Sequence, residues 1–118
     1  MRRLIGAIIG VLTLGSTAEA QGPVVYRIPI TGTIENGLAP YVARSLGVAA
    51  GEGASLVVLD IDTPGGRVDA AERIVDAVRN SPVRVVAFVN PRAWSAGAMI
   101  ALSASEIWIA PGGAIGAA

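Results

Sequence analysis

The sequence predicts an α/β domain built on parallel strands, and three observations carry that reading. Strand and helix patterns alternate as β-α-β-α-β-α-β along the 118 residues. The strands after the first are short, nearly continuous apolar runs, as expected of strands covered on both faces. Glycine- and proline-containing loops separate the elements. Alternation of this kind implies right-handed crossovers, with helices packed on the sheet.

Val24 to Ile30 is rich in β-branched residues and reads as the first strand, with Pro29 marking a strand end or an edge. Thr31-Gly32-Thr33 is a turn. From Asn36, taken as an N-cap, the period becomes helical: Leu38, Val42, Leu46 and Ala49 share one face, and Gly51-Glu52-Gly53 ends the helix. Ser55 to Ile61 is the next strand and leads into Asp62-Thr63-Pro64-Gly65-Gly66. The helix Val68–Asn80 is amphipathic, with Val68, Ala71, Ile74, Val75 and Val78 inward and an Asp69–Arg73 pair on its outer face. Val83 to Val89 is the third strand and Asn90-Pro91-Arg92 a loop. A helix from Ser95 to about Ala104 follows, then a strand Glu106–Ala110, then a glycine-rich loop over Pro111–Ala118. Trp108 reads as core or interface, with core favoured by its place within a strand. There is no internal repeat, charge run or linker.

Composition narrows the chemistry. Cysteine and histidine are absent, which excludes disulfides, thiol nucleophiles, the Ser-His-Asp triad and ordinary thiolate or imidazole metal sites. No metal or other cofactor is expected. Formal charge is zero and no basic patch occurs, so nucleic acid is not an expected partner. All nine basic residues are arginines, which are poor general bases. The start of the chain has Arg2-Arg3, an apolar run from Leu4 to Gly15 and an Ala18-Glu19-Ala20 site. This describes a secretory signal peptide over residues 1–20, with residues 21–118 as the exported domain; an uncleaved anchor is the alternative. Removing residues 1–20 leaves seven basic against eight acidic residues.

The chemistry centres on Ala93-Trp94-Ser95-Ala96-Gly97-Ala98-Met99. A loop delivers Ser95 to the start of an apolar helix, where free N–H groups favour negative charge. The stretch by itself reads as a helix cap, since serine is a preferred N-cap. Likewise Pro64-Gly65-Gly66 by itself reads as an ordinary βα turn. Both loops, however, lie beyond the carboxyl ends of parallel strands, where working loops of such folds gather. Adjacent glycines let a substrate backbone approach closely. Gly66 and Ala96 N–H groups are then natural oxyanion donors to a carbonyl attacked by Ser95. Gly65, Gly66 and Trp94 are the expected substrate contacts.

Asp60-Ile61-Asp62-Thr63-Pro64-Gly65-Gly66, Trp94-Ser95-Ala96-Gly97, and the span from Ala110-Pro111-Gly112 to Ile115-Gly116-Ala117-Ala118 together resemble the NfeD-type membrane-bound serine proteases. These belong to the Clp-protease-like class, with signal peptide peptidase A as a cousin. The resemblance runs from about Val24 to the last residue. It implies a Clp/crotonase fold of stacked βαβ units, incomplete at the C-terminus, and a serine endopeptidase of Ser-Lys type. Ser95 would be the nucleophile, Gly66 and Ala96 the oxyanion donors, and a lysine some tens of residues further on the general base. It also implies homo-oligomers, apolar segments of stomatin-like membrane proteins as substrates, and membrane association through C-terminal segments that follow the protease domain, which would lie outside the cytoplasm.

The sequence contains no lysine. The chain is therefore expected to be the N-terminal part of a longer protease, inactive alone and exposing apolar surface. Asp60, Asp62 or Glu106 could replace the base in principle, although the two aspartates read more naturally as strand-end and loop-capping groups. Two alternatives stand beside the protease: an inactive pseudo-protease or interaction module, and a crotonase-type acyl-CoA enzyme using the same pair of N–H donors without a nucleophilic serine.

Overall fold

The computed structural model describes residues 22–117, so the expected signal segment lies outside the described residues. The chain runs β1 (Val25–Thr31), α1 (Leu38–Gly51), β2 (Leu56–Thr63), α2 (Val68–Arg79), β3 (Val85–Trp94), α3 (Ala96–Leu102), β4 (Glu106–Ile109) and β5 (Ala114–Gly116). The strands lie in the order β1-β2-β3-β4 and all pair in parallel. β5 joins β3 on the same edge as β4, one level higher, through Arg92–Trp94. The predicted parallel α/β architecture is the one observed.

Because each crossover adds its strand on the same side of the last, the helices share one face of the sheet. α1 packs beside α2, and α2 beside α3. The core lies between these helices and Ile28, Ile30, Val57, Leu59, Ile61, Val85, Ala87 and Val89. The second face differs from the sequence expectation. Along β2, residues 57, 59, 61 and 63 are buried while Leu56, Val58, Asp60 and Asp62 are only half-buried. That face instead carries cross-strand ion pairs, Arg27–Asp60 at 2.7 Å and Arg84–Glu106 at 3.0 Å. Trp108 lies on it too and is 51% exposed rather than in the core, its indole N–H donating to Glu106 at 2.7 Å.

Local chemistry explains the end of α1. α1 closes with paired bonds from Ala54 N–H to Ala49 O (3.0 Å) and Gly53 N–H to Ala50 O (3.2 Å), with Gly53 at φ +72°. A left-handed residue at this position satisfies the last carbonyls, and glycine takes it at least cost. The start of α1 corrects the sequence reading: Gly37 is the N-cap, and Asn36 instead accepts a bond from Arg73 at 2.8 Å, tying α1 to α2. With Arg73 engaged there, Asp69 pairs with Arg67 and not with Arg73. Val68, expected inward, is 52% exposed at the first position of α2.

The largest departure is in β3. Residues 90–92, expected to be a loop, continue the strand, with a register shift against β2 between Ile61 and Thr63. Ala93 pairs with Thr63 on one side and Ile115 on the other, and residues 114–116, also expected to be loop, form β5. α3 is correspondingly shorter than predicted, ending at Leu102.

α3 approaches the end of β2 so closely that a Cβ on Gly97 would collide with the Thr63 side-chain methyl. Gly97→Ala is therefore expected to destabilise the fold by about 1–3 kcal/mol through overpacking. The measurement is the midpoint of urea unfolding at constant m-value. An unchanged midpoint would show that the helix can move off Thr63 freely.

Candidate active site

Ser95 stands at the corner where β3 turns into α3. Its backbone is at φ 55° and ψ −117°, a region L-residues rarely occupy. Such a conformation costs on the order of 1–3 kcal/mol and persists only where surrounding bonds hold it. Three bonds do so here. Ser95 N–H donates to Gly116 O at 2.8 Å, and Ser95 O accepts from Ala98 N–H at 2.9 Å and Met99 N–H at 3.3 Å. Thus β5, whose Gly116 also pairs with Trp94, fixes the serine backbone.

The cap reading fails at the level of the side chain. Ser95 occupies the N-cap position of α3, yet its hydroxyl makes no capping bond. Sharp strand-to-helix turns of this kind present a nucleophile away from its own backbone. Among the described residues, no hydrogen bond engages Ser95 Oγ. The N–H of Ala96, the first helical residue, has no intrahelical acceptor for the reason common to all helix starts.

The double-glycine loop lies against this corner. A Cβ on Gly65 would come within 2.9 Å of Ser95 Cβ and 3.1 Å of Trp94 O, so only glycine fits beside the serine. Gly66 is bridged in parallel to Ile34. Ile34 N–H donates to Gly65 O at 2.8 Å and Arg67 N–H to Ile34 O at 2.9 Å. That pattern uses the neighbours of Gly66 and directs its own N–H away from Ile34. A Cβ on Gly66 would collide with the Ile34 backbone. The structure thus brings Gly65 against Ser95 and leaves the N–H groups of Gly66 and Ala96 without acceptors among the described residues. Trp94, half-buried, packs its ring beside Gly116.

Sequence reasoning missed Thr63. Among the described residues it is the one polar residue in the buried core, with no exposed area. Its hydroxyl donates to Gly32 O at 2.5 Å and accepts from Gly65 N–H at 3.0 Å. Its place between Asp62 and Pro64, at the end of an apolar strand, is the only sequence signal it leaves.

The acidic residues considered as bases are engaged elsewhere. Asp60 holds Arg27, Asp62 holds Arg92 at 3.0 Å, and Glu106 holds Arg84 and the Trp108 indole. Just past Gly66, Arg67 makes two bonds to Asp69, at 3.0 and 2.9 Å. The Arg67 hydrogen bond holds the Asp69 carboxyl below its ordinary pKa, and Asp69 raises that of Arg67. At the far end of β1, the Tyr26 phenol is raised by its hydrogen bond to Glu52. A cavity of about 470 Å³ lies at the opposite end of the sheet, around Val83–Val85 and Ser103–Ser105. A cavity of about 380 Å³ lined by Thr33, Glu35 and Tyr41 flanks the Ile34 segment. Among the described residues no cluster suited to a metal occurs, and no helix is long and apolar enough to cross a membrane.

The family model for the N-terminal domain of NfeD1b matches residues 24–118. The chain belongs to the NfeD1b N-terminal domain family. Membrane protein NfeD1b of Bacillus subtilis is 44% identical over 111 residues, covering 94% of this chain and 25% of that protein. Among solved structures, the 1510-N membrane protease specific for a stomatin homolog from Pyrococcus horikoshii matches with TM-score 0.77 and 36% identity, over 82% of this chain and 50% of that one. A serine-to-alanine variant of it matches with TM-score 0.77 and 34% identity, over 81% of this chain and 48% of that one. A lysine-to-alanine variant in complex with a substrate peptide matches with TM-score 0.76 and 36% identity, over 80% and 44%. ClpP1 from Listeria monocytogenes matches at 0.64 and 27% identity, over 66% and 46%, which places the NfeD fold with the Clp-like folds. This NfeD domain spans about a quarter of the length of the curated relatives it matches.

The Asp69 shift gives a direct check on the loop after Gly66. A carboxylate whose folded pKa is depressed adds stability above its unfolded pKa and loses it as pH falls through the folded value. In Arg67→Ala, the Asp69 carboxyl titration followed by NMR is expected to move up toward the ordinary aspartate range. An unmoved midpoint would show that the pair does not form in solution.

Proposed function

We propose that this chain carries the nucleophile and oxyanion hole of a serine endopeptidase. The observation that carries the proposal is the Ser95 corner: a strained backbone, a hydroxyl not spent on capping, and the Gly65–Gly66 loop against it. Ser95 Oγ attacks the carbonyl carbon of a peptide bond while a base takes its proton. Gly66 and Ala96 N–H groups receive the oxyanion, which costs little reorganisation because both donors are fixed beforehand. The C–N bond breaks, the leaving amine takes the proton from the base, and water then hydrolyses the acyl-serine ester. Gly65, Gly66 and Trp94 border the substrate backbone.

The base is a lysine kept neutral by burial. The 118 residues contain none, so in this proposal it comes from polypeptide outside them, and these residues alone do not turn over substrate. The name of the 1510-N variant bound to a substrate peptide, in which a lysine is replaced, supports a lysine at work in the relative. That relative's name as a stomatin-specific protease supports a stomatin-like membrane protein as substrate here; a preference for its apolar segments is part of the proposal. Export through residues 1–20, membrane association and homo-oligomers complete the proposal. The engagement of Asp60, Asp62 and Glu106 with arginines favours a second reading, a non-catalytic binding module, should no lysine reach Ser95.

In the full-length gene product isolated from membranes, Ser95→Ala is expected to lower hydrolysis of an apolar peptide by about a thousandfold or more. Peptide binding is expected to survive. Turnover in the alanine variant above half that of the unmodified protein would overturn the nucleophile assignment.

A further inference from the structure

We infer that Thr63 is a positioning residue whose hydroxyl sets the aim of the Gly66 oxyanion donor. The inference rests on the Ser95 reading above and extends it to a residue with no exposed area. An oxyanion hole works only if its two donors converge on one oxygen at about 3 Å. Here one donor sits on a loop after β2 and the other on the first turn of α3, so the relative placement of loop and helix is the functional quantity.

Thr63 touches both. Its hydroxyl accepts a hydrogen bond from Gly65 N–H at 3.0 Å and donates one to Gly32 O at 2.5 Å. Gly32 is itself anchored by a 2.9 Å bond from its N–H to Asp62 O. The loop is therefore clamped from its first glycine, one residue before the donor. The Thr63 methyl packs against Gly97, two residues beyond the nucleophile. Threonine is stiff about χ1, so hydroxyl and methyl keep a fixed relation to each other. Full burial keeps water from replacing the hydroxyl in its two bonds.

The test uses the full-length protein with two substitutions. Thr63→Val keeps the shape and removes the hydroxyl; Thr63→Ser keeps the hydroxyl and removes the methyl. The valine variant is expected to lose tenfold or more in kcat, on the order of the loss caused by a misplaced oxyanion donor, with KM nearly unchanged. Its affinity for a peptide aldehyde, which forms an oxyanion on the serine, should fall in step with kcat/KM. The serine variant should melt earlier yet keep kcat and aldehyde affinity within about threefold. A folded valine variant with kcat and aldehyde affinity within twofold of the parent would overturn the inference. If valine prevents folding, a serine variant that loses tenfold or more in kcat would overturn it equally. Ser95→Ala measured in parallel separates the two claims. Retained hydrolysis there sinks the nucleophile reading, whereas retained hydrolysis in Thr63→Val alone sinks only the role of Thr63.

Discussion

The site depends on one close approach, the first turn of α3 against the end of β2. Gly97 permits it by leaving room for the Thr63 methyl, and Gly65 permits it by leaving room for Ser95. A side chain at either glycine would drive the loop and the helix apart. Thr63 converts the contact from simple packing into a directed one, because its buried hydroxyl is satisfied only when the Gly32 and Gly65 segments both lie in place. A buried hydroxyl without partners costs more than its bonds contribute, which makes the arrangement nearly all-or-none.

The strain at Ser95 is held from the other side. β3 does not stop where its apolar run ends but continues through Asn90-Pro91-Arg92 to Trp94, giving β5 a partner. Gly116 at the end of β5 then binds the Ser95 N–H. The serine is thus gripped between two segments contributed by residues thirty positions before it and twenty after it. Its conformation is a property of the tertiary fold and not of the Trp94-Ser95-Ala96 sequence.

That distinction explains what could be read in advance. The apolar runs of β2 and β3 and the helical period of α1 and α2 report local burial, so the alternation and the parallel sheet were visible. The convergence of Pro64-Gly65-Gly66 and Ser95 followed, because parallel strands put their following loops at one end. Features that tertiary pairing imposes against local composition were not visible. Residues 90–92 and 114–116 look like loop because Asn90, Pro91, Gly112, Gly113 and Gly116 are turn residues, and only the pairing of Arg92–Trp94 with Ala114–Gly116 makes them strand. Asp69 chose Arg67 because Arg73 was drawn to Asn36 across the helix interface. Trp108 reads as core because it lies within a strand, but it is on the sheet face that no helix covers among the described residues. Thr63 was overlooked because a single threonine ending an apolar strand looks like punctuation.

The NfeD membership and the Clp-like fold give the arrangement its context, and the geometry supplies a reason for each residue in it. The central claim is that Ser95 Oγ is the group that becomes acylated. Reaction of the full-length protein with a fluorophosphonate, followed by peptide mapping in a mass spectrometer, tests it most directly. The account predicts a phosphonyl adduct on Ser95 together with loss of peptide hydrolysis. An adduct on another residue, or hydrolysis that continues with Ser95 fully modified, would contradict it.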